Sequence, residues 1–200
     1  MTSTARGRGR PGHDLDSLLH VAAVVFHERG YDGTSMEELA KRLGITKSAI
    51  YHHVSGKQEL LRRTVDRALD ALLAVTAEPE SRRGPAIHRL RHVVRRSVHV
   101  LVEEQPFVTV LLRVRGNSEV ERAALTRRRE IDAFLGALVA EAERDGNLRP
   151  DLDPALTSRL LFGTVNSIIE WYRPQPGLDA DALADAITKL TFEGLEHAPS

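Results

Sequence analysis

Two hundred residues, 42% of them hydrophobic, suffice for one large domain or a small one plus a medium one, and the lack of cysteine excludes disulfide frameworks and thiolate metal sites. No signal-peptide segment opens the sequence, and its longest apolar runs, such as residues 18–26, are too short or too broken to span a bilayer, so a soluble cytoplasmic protein with no membrane partner is expected. Twenty-eight basic and 28 acidic side chains cancel to zero net charge, which at first argues against a polyanionic partner, yet the charge is segregated. Arg6, Arg8 and Arg10 stand without an acid through residue 12, and Lys41, Arg42, Lys47 and Lys57 stand without one from Lys41 to Gln58.

In chain order, residues 1–12 are too rich in Gly and Arg to pack and read as a flexible basic arm. Asp14 is placed to cap a helix in which Leu15, Leu18, Leu19, Ala22, Ala23 and Phe26 recur at helical spacing until Gly30. Ser35-Met-Glu-Glu38 has the form of a capping box and opens a two-turn helix, with Met36, Leu39, Ala40 and Leu43 inward, that stops at Gly44. A second short helix follows from Thr46 to about Val54, and two short helices around a tight Gly turn, after a longer one, make a helix-turn-helix pattern. Ser55-Gly-Lys-Gln58 repeats the capping-box pattern and starts a long helix to about Ala77.

Glu78 to Pro85 interrupts the helical pattern, so residues 13–77 are expected to form the first domain and 78–200 the second. Within the second, helices are expected from Ala86 to Glu104, over a short apolar piece from Phe107, from a capping box at Ser118 to about Gly146, from Asp153-Pro154 to about Tyr172, and from Asp179 to about Glu196. The fold class is therefore all-α: a three-helix helix-turn-helix domain plus a larger helical domain, about nine helices in total.

On a helical wheel, Lys47, Ser48, Tyr51 and His52 share one face while Ala49 and Ile50 lie opposite. A cation, a hydroxyl, a phenol and an imidazole on one short helix suit phosphates and base edges, as a helix lying in the major groove of double-stranded DNA requires. Thr34 and Lys57 would flank that helix and grip phosphates on either side, with Thr46 at its start. The arm is either a solubilising or purification remnant or a strand of arginines reaching an adjacent A·T-rich minor groove.

The run from Gly30 to Leu61 resembles the helix-turn-helix signature of the TetR family: Thr34-Ser35 at the helix start, Leu39-Ala40 before Gly44-Ile45-Thr46, the Ile50-Tyr51-His52-His53 block, and Lys57 with Glu59-Leu60-Leu61. Val54 departs mildly, standing where many members carry Phe. The resemblance implies that Tyr51, His52 and His53 face DNA, although the wheel puts His53 on the buried side, and that Lys57 meets a phosphate. It further implies a homodimer on a palindromic operator, joined through the last two helices of each subunit, with an inducer pocket in the C-terminal domain.

In that domain Phe107, Leu111 and Phe134 are apolar at helical spacing, as ordinary core residues or a pocket lining would be, Asn166 and Arg115 are candidate polar contacts for a ligand, and Trp171 near the end of the penultimate helix suits a ligand, a subunit interface or plain helix-end packing. Asn166, within an apolar stretch, needs a hydrogen-bond partner that a ligand or another helix would supply, and the arginines, Arg127-Arg128-Arg129 included, are open to an anionic ligand or to solvent. Apolar volume beside arginine suggests an acyl-CoA or similar amphipathic acid as inducer. A constitutive repressor without a ligand is the alternative. His88, His92 and His99 form a stripe, but Arg95 beside them opposes a metal ion. No phosphate loop, nucleophile elbow or metal-protease motif is present, so neither an enzyme nor a cofactor is expected.

Overall fold

A computed structural model describes residues 14–194, and the arginines of the arm lie outside them. The described residues are helical throughout, without a strand: α1 Leu15–Arg29, α2 Met36–Leu43, α3 Lys47–Tyr51, α4 Lys57–Ala77, α5 Pro79–Arg82, α6 Ala86–Glu103, α7 Gln105–Arg113, α8 Glu119–Arg144, α9 Pro154–Asn166, α10 Ile168–Trp171 and α11 Ala180–Glu193. Two of the eleven, α5 and α10, are single four-residue turns, which accounts for the difference from the nine helices expected (11 − 2 = 9).

Local chemistry sets most of the boundaries. Asp14 accepts from the Ser17 N–H (2.8 Å), Ser35 from Glu38 (3.2 Å), Ser118 from Glu121 (3.2 Å), Asp153 from Leu156 (2.9 Å) and Asp179 from Ala182 (2.9 Å), each satisfying an otherwise free donor of a first turn. Gly44, at φ 68° and ψ 30°, closes α2 in the left-handed conformation that side chains with a Cβ avoid. The acidic halves of the expected capping boxes act differently. Glu38 turns to Arg29 (3.3 Å), and at the start of α4 it is Glu59, not Gln58, that accepts from both the backbone and the hydroxyl of Ser55 (2.6 and 2.7 Å). Those two bonds and two from Arg63 hold the Glu59 carboxyl down at about 2.

Three expected boundaries shift. α3 ends at Tyr51 rather than Val54, with His52 and His53 turning out of the helix. Pro106 opens α7 instead of merely ending α6, because proline is well accommodated in a first turn. The helix expected from Asp153 to Tyr172 breaks at Ser167, where the Thr164 hydroxyl bonds back to Leu160 (3.0 Å) and the Ser167 hydroxyl to Thr164 (2.7 Å), next to the poor helix former Gly163.

The chain divides into two compact units between Arg63 and Thr64, inside α4 and ahead of the division after Ala77 read from the sequence. The later turns of α4 are tied to the second unit: Arg67 bonds Glu104 (2.6 Å) and lies 4.2 Å over the Phe107 ring, and Asp66 and Asp70 receive Arg127 of α8 (2.9 and 2.5 Å). In the first unit, Leu18, Val25, Leu39, Ile50 and Leu60 form the buried centre. In the second, α6 is the central column, packed by α5, α7, α8, α9, α10 and α11.

The turn between α7 and α8 hangs on one acid. The Glu121 carboxylate, 7% exposed, accepts from the backbone N–H of Arg115 (2.8 Å), Gly116 (2.9 Å) and Asn117 (3.2 Å). Burial raises its pKa, but these bonds outweigh that and leave it below the ordinary 4.5. A carboxyl with a depressed folded pKa lends stability above its unfolded value and loses it as pH falls through the folded one. Glu121→Gln is expected to cost about 2 kcal/mol at pH 7. In urea melts across an acid series, the gap between wild type and variant should close below pH 4.5, and a gap independent of pH would contradict this assignment.

Candidate functional site

In the first unit, α3 is presented by a buried anchor and an N-cap. Ile50 is fully buried, and the Thr46 hydroxyl accepts from the Ala49 N–H (3.2 Å). That fixes the rotation of a helix too short to hold itself. Lys47, Ser48, Tyr51 and His52 accordingly stand exposed, with Thr46 at the rim. His53 is exposed as well, because the chain has left the helix there and the wheel no longer applies. Tyr51 is 49% exposed, an aromatic ring with no structural reason to face solvent.

Two expected phosphate contacts hold other positions. Thr34 is buried, and its hydroxyl donates to the Gly30 carbonyl (2.7 Å), closing the end of α1. Lys57 is half-buried, donating to the carbonyls of Tyr31 and Thr34 (2.9 Å each) and resting 4.4 Å over the Tyr31 ring. Both are clamps of the α1–α2 turn; that of Lys57 depends on residues 23 and 26 positions away and leaves no local trace, whereas that of Thr34 is a contact with the residue four positions before it.

The basic patch from Lys41 to Gln58 is also less free than its spacing suggests. Arg42 is held by both oxygens of Glu28 (2.7 and 2.9 Å), and Lys47 is ion-paired with Glu37. Hydrogen bonding to Lys47 lowers the Glu37 pKa, and the same contact raises that of Lys47, so both are charged near neutrality. Lys41 makes no ion pair among the described residues.

In the second unit a cleft of ≈ 520 Å³ runs between α8 and α9, lined by Arg128, Asp132 and Leu135 on one side and Ser158, Arg159, Phe162 and Asn166 on the other. Arg128, Asp132, Leu135, Phe162 and Asn166 also border a smaller chamber of ≈ 40 Å³ floored by Leu101, Leu111, Ile131 and Val165. A polar groove thus adjoins an apolar recess, with Arg128, Asp132 and Asn166 at the join. Arg128 makes no hydrogen bond or ion pair among the described residues, unlike Arg127 beside it, which is consumed by Asp66 and Asp70.

Of the expected ligand residues, Leu111 and Asn166 border this space and four do not. Phe107 is buried beneath the Arg67 guanidinium, Phe134 lies under Arg82 (4.8 Å), the Arg115 side chain is exposed on the turn held by Glu121, and Trp171 is exposed with its indole N–H on Ser167 (3.3 Å). Helical periodicity separates buried positions from exposed ones, but not core from cavity. Arg128, Asp132, Ser158 and Arg159 went unassigned individually. The Arg127–Arg129 run was the available signal, and nothing in it singled out the middle member.

Two histidines of the α6 stripe contact acids. His92 meets Glu78 (2.6 Å) and His99 meets Asp181 (3.3 Å), while Arg95 is paired with Asp185. Glu78, Glu80 and His92 could together offer three ligand atoms to a metal, but Arg96 already sits on Glu78 (3.0 Å) and opposes a cation there. Burial raises the Glu78 pKa, and the His92 and Arg96 bonds overcome it to lower it.

Comparison with known proteins agrees with both halves. Residues 18–64 match the model of bacterial regulatory proteins of the tetR family, and residues 83–195 match a tetracyclin repressor-like C-terminal domain. A TetR-family regulator from Streptomyces coelicolor A3 is 54% identical, with 90% of this chain and 91% of that one covered and a TM-score of 0.85. AibR, solved in complex with isovaleryl coenzyme A and operator DNA, is 26% identical over 88% of this chain and 97% of its own, at a TM-score of 0.75. The transcriptional repressor KstR2 of Rhodococcus jostii RHA1 is 26% identical over 94% of this chain and 93% of its own. With a C-terminal model spanning more than half of the sequence and a 54% identical relative covering nine-tenths of it, the chain belongs to the TetR family of helix-turn-helix transcription regulators, which are DNA-binding proteins rather than enzymes.

Proposed function

We propose that the protein is a ligand-responsive repressor that docks as a homodimer on a palindromic operator, with α3 in the major groove, and is released by a small amphipathic acid held in the α8–α9 cleft. The observation that carries the DNA reading is the five-residue α3, whose inner Ile50 is wholly buried while Lys47, Ser48, Tyr51 and His52 project polar groups into solvent. Among the expected contacts, Thr46, Lys47, Ser48, Tyr51, His52 and His53 remain available, whereas Thr34 and Lys57 support the head from behind.

Support for the dimer comes from α9 and α11, which expose Leu156, Leu160 (61%) and Leu190, large side chains that a lone subunit leaves in water. Two reading helices related by a two-fold axis would fit half-sites about 34–36 Å apart or a multiple of that. For the ligand, the cleft lies within the size range of small-molecule sites, and an unpaired arginine beside an apolar recess suits an acid with a hydrocarbon portion. AibR, bound to isovaleryl coenzyme A and operator DNA, makes an acyl-CoA the first class to test. The small volume of the apolar recess favours the second reading, a constitutive repressor without a ligand. Linkage requires any inducer that weakens DNA binding to be weakened by DNA by the same factor.

Genomic footprinting will supply the operator. On it, Tyr51→Ala should lose about tenfold or more in affinity, as expected for one good base contact of about 1–3 kcal/mol, without a change in melting temperature. Unchanged operator affinity would remove α3 from the groove. Leu160→Asp should convert a sedimenting dimer to monomer, and a wild-type protein that already sediments as a monomer would refute the dimer. Short acyl-CoA esters should release the operator from wild type and much less from Arg128→Met. If the esters leave binding unchanged while an unrelated hydrophobic drug releases DNA, the acyl-CoA class is wrong.

A further inference from the structure

Lys47 is the only lysine or arginine on α3, and its ammonium already has an anionic partner in Glu37, in the first turn of α2. We infer that Glu37 is an internal competitor for the DNA phosphate that Lys47 contacts, so that docking exchanges a carboxylate for a phosphate and Glu37 sets how tightly the head holds any duplex. This rests on α3 being the DNA-reading helix.

The neighbouring cations show why the exchange is confined to this pair. Arg42 is held by both oxygens of Glu28 across α1 and α2, and Lys57 is anchored to two carbonyls and a ring, so either one gives up more than one contact on moving and neither stands on α3. The Lys47 and Glu37 side chains are 45% and 64% exposed, and an ion pair so hydrated is readily replaced. Freed from Lys47, Glu37 stays in water at a helix N-terminus, where the dipole favours its charge, so the exchange strands no buried ion.

A lysine that meets a phosphate releases about one condensed cation from DNA, whether or not it first leaves another partner. A lone carboxylate condenses no counterion, so exchange with Glu37 offsets part of the affinity of the contact and leaves its ion release unaltered. Phosphate contacts carry no sequence information, so damping this one lowers affinity for bulk DNA without touching base readout. In a chain with zero net charge, Glu37 thereby keeps the few free cations of the head from holding it on random sequence.

The test needs no operator. Full-length wild type, Glu37→Gln, Lys47→Met and the double variant are titrated onto a labelled mixed-sequence duplex of about three helical turns, between about 50 and 200 mM salt. Glu37→Gln should bind about three- to tenfold tighter. In the Lys47→Met background the same change should alter affinity less than about twofold. Equal affinity for wild type and Glu37→Gln would overturn the inference. So would a gain that persists without Lys47, because Glu37 would then act by general repulsion of DNA. Thermal melts confirm folding, and Glu37→Ala provides a second neutral variant if glutamine disturbs α2. Wild type that fails to bind at the lowest salt would instead refute α3 as a DNA-reading helix, and this inference with it.

Discussion

Burial of α6 is the constraint on which the second unit depends. Leu90, Val93, Val94, Val98 and Leu101 are almost wholly removed from water, and six other helices pack around them. A helix encircled in this way needs its polar residues to find partners sideways, and several of α6 do so: Arg89 reaches Glu141 of α8, Arg95 and His99 reach α11, and His92 and Arg96 converge on Glu78. The apolar residues supply the energy of burial and the charged ones fix the rotation of the helices around the column. Leu101 of the same column also floors the apolar recess, so that recess is a gap in the packing of α6 rather than a separate feature.

The reading head works under a different constraint, its charge. A chain with no net charge gains DNA affinity only through local excess, and the fold spends much of that excess internally: Glu28, Glu37 and Glu38 face Arg42, Lys47 and Arg29, and Lys57 is bound to carbonyls. What α3 offers is therefore weighted toward groups that read bases, a hydroxyl, a phenol and imidazoles, over groups that attract phosphate. Doubling such a surface by symmetry is the natural way to raise its affinity without adding nonspecific attraction.

Most features decided within four residues were legible in the sequence, and features decided across the fold were not. The caps at Asp14, Ser35, Ser118, Asp153 and Asp179, and the stop at Gly44, belong to the first class, and so does the exposed face of α3, because Ile50 marks its opposite side. Thr34 and the break at Ser167 are the local exceptions, since a hydroxyl can turn back to the carbonyl four residues before it or outward with equal ease. Lys57 belongs to the second class: as a residue type at a flanking position it suits phosphate, and only the folded α1–α2 turn brings its carbonyl partners into reach. The cleft divides the same way. Leu111 and Asn166 reach it, but Phe107 and Phe134 have the same periodicity and are capped by Arg67 and Arg82, arginines remote in sequence.

Helix α9 ties these features together. Only Leu161 and Val165 of its thirteen residues are buried. One face carries Ser158, Arg159, Phe162 and Asn166 to the cleft, and another leaves Leu156 and Leu160 in water. A helix with so small a core of its own takes its position from whatever its other faces contact, and it ends at Ser167 in a break already weakened by hydroxyls bonding back to the backbone. A molecule wedged between α8 and α9 and a second subunit on the leucines would therefore act on the placement of the same thirteen residues. Each would favour its own setting of α9, and the difference between those settings is the free energy by which a ligand could bias a dimer.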